Sequence, residues 1–122
     1  MSIIKKKQKS YWFGIIAEYY VILILFFKGY KLLERRYKTK LGEIDLIFKN
    51  GDCLVAVEVK ARSGNNYQAG EVVYRKQFYR ILNSLKIFLN KNEVYYNLNI
   101  RIDTVLVYKN LKIEHIKNIW TE

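Results

Sequence analysis

Three residues of this 122-residue chain have the types and spacing for hydrolytic chemistry: Asp45, Glu58 and Lys60. Glu58 and Lys60 stand two apart, so on an extended strand both side chains leave the same face. They break into Leu54-Val55-Ala56-Val57 and its continuation Val59 and Ala61, a run that otherwise reads as a buried central strand. Charge in such a strand costs several kcal/mol unless it is paired or bound to an ion. Asp45, on the preceding strand, shares a face with Glu43 and Ile47.

The link between the two strands, Asn50-Gly51-Asp52, is a strong hairpin signal. A two-residue turn at Asn50-Gly51 sets Ala56 opposite Asp45 and Glu58 opposite Glu43. A turn at Gly51-Asp52 sets Glu58 opposite Asp45 and Lys60 opposite Glu43. Either register puts Asp45, Glu58 and Lys60 on one face, whereas a simple three-residue loop would separate them.

Two carboxylates held close repel each other, and one pKa rises unless a cation sits between them. Mg²⁺ accepts one or two carboxylates together with waters and phosphate oxygens, which suits such a pair. A neighbouring amine such as Lys60 could orient an attacking water or stabilise developing negative charge. The competing structural reading is a Glu58–Lys60 or Glu43–Lys60 ion pair on a half-exposed sheet face. Glu18 lies in an apolar stretch between Ala17 and Tyr19. It reaches the same cluster if its helix packs on the sheet, and otherwise occupies that helix's solvent edge.

The elements that must position these groups follow from periodicity and turn chemistry. Ser10 can cap a helix running to about Phe27, with Gly29 as its stop. Tyr30 to Lys38 and Leu41 to Lys49 read as strands, and Cys53 to Arg62 as the returning strand of the hairpin. Ser63 to Gly70 is a polar loop. A second helix spans about Glu71 to Asn90, with an apolar stripe at Phe78, Ile81, Leu82, Leu85, Phe88 and Leu89. Asn97 to Tyr108 alternates as a strand, and Leu111 to Trp120 adds a final strand or short helix. The order α-β-β-β-α-β implies an antiparallel three-strand meander. The second helix then crosses over to a parallel neighbour, giving an α/β fold with a mixed sheet flanked by helices. No boundary divides residues 1–122, which read as one domain with a basic N-terminal tail over residues 1–9.

Composition narrows the function. The chain carries 22 Lys+Arg against 11 Asp+Glu, a net charge of +11, which points to a polyanionic partner, either nucleic acid or an anionic membrane surface. One cysteine, Cys53, excludes an internal disulfide, and one histidine, His115, excludes a classical zinc cluster. Cys-His and Ser-His-Asp catalysis are thereby disfavoured, leaving carboxylates, lysines and a hard metal ion. The apolar stretch Ile15 to Phe27 is 13 residues long and contains Glu18. A spanning helix needs roughly 20 apolar residues, so the stretch reads as a core helix rather than a membrane segment. The expected compartment is the cytoplasm.

Gly14-x-x-Ala17-Glu18, Gly29-Tyr30, Arg35-Arg36, Gly42-Glu-Ile-Asp-Leu-Ile47, Val57-Glu-Val-Lys-Ala-Arg62, Lys76-Gln77-x-x-Arg80-Ile81 and Arg101-Ile-Asp103 occur in that order. In these blocks, from about Phe13 to Tyr108, the chain resembles the YraN-like family of small bacterial proteins. It is also similar to archaeal Holliday-junction resolvases and to the PD-(D/E)xK nuclease superfamily. The resemblance implies a restriction-endonuclease-like core in which Asp45 matches the metal-binding Asp. Glu58 and Lys60 match the (D/E)xK pair, and Glu18 the carboxylate of the first helix. It further implies Mg²⁺ or Mn²⁺ held by Asp45 and Glu58, with the Val59 carbonyl and Glu18 in support. The same resemblance implies that Lys60 assists hydrolysis of DNA phosphodiesters, branched or structured DNA among them. Ile44 stands where the superfamily's name has Pro, and Ile102 where an aromatic is commoner.

Lys76, Gln77 and Arg80 share a polar helix face, and Arg62 extends the charged strand face; these four are the candidate nucleic-acid contacts. The alternative for each is a solvated surface. Asp103 reads as a structural partner of Arg35, Arg36 or Arg101, and His115 and Cys53 carry no functional expectation. The leading expectation is a metal-dependent nuclease; the rival is a nucleic-acid-binding protein of the same fold without turnover. Junction-cutting relatives work as dimers, so a homodimer is compatible with the resemblance, although no segment of the sequence identifies an interface.

Overall fold

The computed structural model describes residues 3–62 and 75–119, with side chains from Tyr11 onward. Its elements run α1 (Ile3–Phe27), β1 (Lys31–Thr39), β2 (Gly42–Asn50), β3 (Cys53–Arg62), α2 (Arg75–Lys91), β4 (Asn99–Tyr108) and β5 (Ile113–Ile116), with a 3₁₀ turn at Glu93–Tyr95. The five strands lie side by side in chain order. β1, β2 and β3 form the antiparallel meander, β3 and β4 are parallel across α2, and β5 returns antiparallel to β4. This is the mixed α/β sheet the sequence leads one to expect, an arrangement consistent with an α/β nuclease-like core.

The helices cover opposite faces of the sheet. Ala17, Val21 and Leu25 of α1 pack on Leu46, Phe48, Val55, Val57, Val105 and Val107. Phe78, Ile81, Leu85, Phe88 and Leu89 of α2 pack on Ile44, Ile47, Leu54, Ala56 and Ile102. β3 is central because it is apolar on both faces; Leu54 through Val57 are all buried.

α1 ends at Gly29 (φ 90°), whose N–H bonds the Phe26 carbonyl while Tyr30 N–H bonds that of Leu25. That pair of bonds is a Schellman stop, and Tyr30 and Leu25 meet in the core beneath it. The start of α1 differs from expectation. Ser10 lies within the helix rather than capping it, and the stretch read as a basic tail is helical from Ile3. Lys5-Lys6-Lys7-Gln8-Lys9 consists of good helix formers with no breaker, so nothing forces the helix to begin at Ser10. The last segment resolves as strand β5, and α2 is described from Arg75. The expected loop Ser63–Gly70 and the first turn of the expected helix, residues 71–74, lie outside the described residues, as does Trp120. No helix among the described residues is long and apolar enough to cross a membrane.

Candidate active site

β2 and β3 pair from Asn50↔Cys53 up to Leu46↔Val57, which leaves Gly51-Asp52 as the turn, with Gly51 at φ 58°. Of the two registers open in the sequence, this one directs Asp45 toward Glu58. Beyond Leu46↔Val57, Asp45 replaces the ladder with its own side chain, Oδ2 accepting the Val59 N–H at 2.9 Å. The strict in-and-out alternation of β2 breaks at the same place. Leu46 and Phe48 pack toward α1, but Ile44 packs with Ile47 toward α2.

Asp45 and Glu58 thereby line one open cleft of about 580 Å³, together with Gly42, Glu43, Lys76, Gln77, Arg80 and Ile81. β2 and β3 form its floor and α2 forms its wall. Gln77 Nε2 donates to Glu58 Oε1 at 3.1 Å and fixes that carboxylate. Lys76 and Arg80, exposed and one helical turn apart, place two cations beside it. α2 is seated closely here. Gly42 approaches it so tightly that an added Cβ would stand 3.3 Å from Arg80 Cβ. Thr39 Oγ1 also meets the buried Ser84 Oγ at 2.8 Å.

The electrostatics are those of two carboxyls short of countercharge. Burial, reinforced by Glu18 and Glu43 and eased by the Val59 N–H and Lys60, pushes Asp45 up to about 6. Burial first and Asp45 second push Glu58 up to about 7, against the pull of Lys60 and Gln77. Such neighbours titrate as a pair. Lys60 does not line the cleft, yet its ammonium favours the ionised form of both carboxyls.

Glu18 stands elsewhere, in the α1 layer. Its Oε1 accepts from Arg36 Nε at 3.2 Å and lies 3.6 Å from Arg35 Nε. Arg36 takes φ 52°, uncommon for a non-glycine residue. Glu18 is therefore ion-paired outside the cleft, although its charge still acts on Asp45. Arg62 continues the Glu58–Lys60 face without lining the cleft, and its Nη1 donates to the Ala61 carbonyl at 3.2 Å. The half-buried Val59 side chain packs on the α1-side core.

Among the described residues no three His, Cys, Asp or Glu side chains gather closely enough to hold a metal by themselves. The donor set nevertheless fits a hard divalent cation. Two mutually repelling carboxyls in an open cleft would leave the other positions to water and phosphate oxygens, as Mg²⁺ prefers.

Glu43 and Gly42 line the cleft but were not singled out as site residues from the sequence. The two-residue step from Glu43 to Asp45 was the signal available for the former. His115, from which nothing was expected, belongs to a second polar cluster on the α1 side of the sheet. There the fully buried Asp103 accepts from Arg101 Nε at 3.0 Å and the Asn118 N–H at 2.9 Å, and meets His115 Nε2 at 2.7 Å. Arg101 Nη2 also donates to the Tyr30 hydroxyl. Burial alone would raise the Asp103 carboxyl, but His115, Arg101 and the Asn118 N–H outweigh it and hold it below its ordinary value. Of the three arginines considered for Asp103, Arg101 is its partner, while Arg35 and Arg36 serve Glu18.

Residues 17–107 match the uncharacterised protein family UPF0102. The chain belongs to this family, also called the YraN family. It is 38% identical over 117 residues to the UPF0102 protein of Bartonella tribocorum, covering 96% of this chain and 89% of that one. It is 35% identical over 111 residues to the UPF0102 protein of Parvibaculum lavamentivorans, covering 91% and 83%. The UPF0102 protein of Mesorhizobium japonicum is 38% identical over 112 residues, covering 92% and 89%. The matched region of this UPF0102 chain contains every residue of the cleft.

Proposed function

We propose that this UPF0102 protein is a metal-dependent nuclease that hydrolyses DNA phosphodiester bonds, branched or structured DNA included. The observation that carries the reading is the Asp45–Glu58 pair, two carboxyls raised toward neutrality in a cleft walled by Lys76 and Arg80. Asp45 and Glu58 would hold Mg²⁺ or Mn²⁺, which when bound neutralises phosphate charge and lowers the pKa of a water. Val59 N–H keeps one Asp45 oxygen engaged and Gln77 does the same for Glu58, so neither carboxylate turns freely. Lys60 supplies positive charge to the pair and polarises water next to it. Lys76 and Arg80 draw the phosphate backbone into the cleft, and Arg62 extends the cationic surface along β3. The net charge of +11 is in keeping with a polyanionic substrate.

The test is cleavage of linear and four-way DNA with Mg²⁺ by the wild type and by Asp45→Ala and Lys60→Ala. Cutting by the wild type that both substitutions abolish is expected; three equally inert proteins remove the basis for the enzyme. One observation favours a second reading, a nucleic-acid-binding protein without turnover. Glu18, which the resemblance puts at the metal, is engaged by Arg35 and Arg36. Salt-dependent binding that ignores both Mg²⁺ and Glu58→Ala would support that reading instead.

A further inference from the structure

α1 is apolar on both sides from Tyr11 to Phe27, and Glu18, the only charge in that stretch, is spent on Arg35 and Arg36. Ala17, Val21 and Leu25 face the sheet and are at most 1% exposed. The outward side carries Trp12, Ile16, Tyr19, Leu23 and Phe26, each 54–65% exposed, joined by Tyr11 at 60% and Phe27 at 78%. Seven of the thirteen exposed large apolar side chains among the described residues thus lie on this one helix. A helix hydrophobic all round is one with a second surface against it.

From Trp12 to Phe26 the outward residues advance by four, three, four and three, the spacing of a helix-pairing seam. At ~150–250 Å² per aromatic side chain, the seven exposed side chains offer on the order of 700–800 Å². That exceeds the largest apolar patch of a typical monomer, roughly 300–600 Å². It matches the ~800 Å² that each partner contributes to a standard interface. The helix carrying Tyr11 to Phe27 is not long and apolar enough to cross a membrane.

We infer that the outer face of α1 is a homodimer interface, with a second copy of this chain packed α1 against α1 about a twofold axis. A single self-complementary stripe is what an isologous contact requires. The seam side chains themselves carry no charge, and the Arg35 guanidinium that stacks 4.7 Å over the Tyr19 ring is paired with Glu18. Repulsion between two chains of +11 is screened beyond about 8 Å at physiological salt. α1 and α2 cover opposite faces of the sheet, so the pairing leaves both Asp45–Glu58 clefts open on the outside of the dimer. This interface does not depend on the hydrolase reading.

The experiment is sedimentation velocity of the full chain between ~1 and ~100 µM at 0.15 M salt, beside Leu23→Glu and Phe26→Glu. The wild type is expected at twice the 14.7 kDa of one chain. Each variant is expected as a monomer with circular dichroism and thermal melting intact, since both side chains point away from the sheet. Central positions of this kind weaken association by at least ~30-fold. A wild type that stays monomeric throughout overturns the inference, and so does a dimer that neither substitution weakens. A monomeric wild type that pellets with phosphatidylglycerol vesicles, and loses this with Leu23→Glu, also overturns it by assigning the face to lipid.

Discussion

At the scale of single residues, Asp45 and Glu58 are held at a disadvantage that a cation would relieve. Their folded values of about 6 and about 7 lie above the ordinary 3.8 and 4.5. The folded state therefore binds more protons than the unfolded chain between those limits, and stability falls as pH rises through the window. Glu58→Gln removes one of the repelling charges and keeps an oxygen for Gln77. It should raise the melting temperature by a few degrees at pH 8, about 3–6 °C per kcal/mol for a domain of this size, and change little near pH 4. If the pair holds Mg²⁺, the ion should stabilise the wild type at pH 8 and the same substitution should abolish that stabilisation. Thermal melts at the two pH values, with and without Mg²⁺, check both statements. Asp103 is the opposite case, a buried carboxylate fully supplied with donors. Asp103→Ala strands Arg101 and His115 and should destabilise the chain by about 3–5 kcal/mol in urea unfolding. The cleft, on the far side of the sheet, should stay intact.

At the scale of elements, the site is built by how β2, β3 and α2 meet. Gly42 is where β2 passes under α2, at φ 157° and with 3.3 Å between its would-be Cβ and Arg80 Cβ. Gly42→Val should shift the helix, lower stability by about 1–3 kcal/mol in urea unfolding, and draw Arg80 away from the cleft. Gln77 holds Glu58 by a hydrogen bond, and if the pair binds Mg²⁺, Gln77→Ala should lower that affinity about 10–100-fold by calorimetric titration. Much of this was readable from residue order. Period-two alternation brought Asp45 and Glu58 to one cleft but also set with them Lys60, which does not line it. Asn50-Gly51-Asp52 announced the turn, though its register needed coordinates. Phe78, Ile81, Leu85, Phe88 and Leu89 marked the buried face of α2 correctly. Other features depend on contacts far apart in the chain and leave no local trace. Ser84 is buried because Thr39 meets it, and His115 matters because β5 sets it opposite Val105, beside Asp103. The break in alternation at Ile44 and the left-handed backbone of Arg36 are likewise products of the assembled sheet. Ser10 looked like a cap only because the basic run before it was read as unstructured.

At the scale of the whole molecule, the cleft and the apolar stripe lie on opposite sides of the sheet. Lys76 and Arg80 frame the cleft on the α2 side, and the uncharged stripe of α1 occupies the opposite layer. If the cleft takes a phosphate backbone, DNA affinity should fall steeply with salt. Lys76→Ala should then flatten the slope of log K against log salt by about 0.9, one phosphate contact, as read by fluorescence anisotropy. The nuclease reading itself rests on one pair of carboxylates, and its most direct test uses the variant expected to be more stable than the wild type. A labelled four-way junction is incubated with Mg²⁺ and either wild type or Glu58→Gln, and strand scission is followed on a denaturing gel. The account predicts scission by the wild type that ends with chelation of Mg²⁺, and none by the well-folded Glu58→Gln protein. Equal scission by the two proteins, or scission that continues without Mg²⁺, would contradict it.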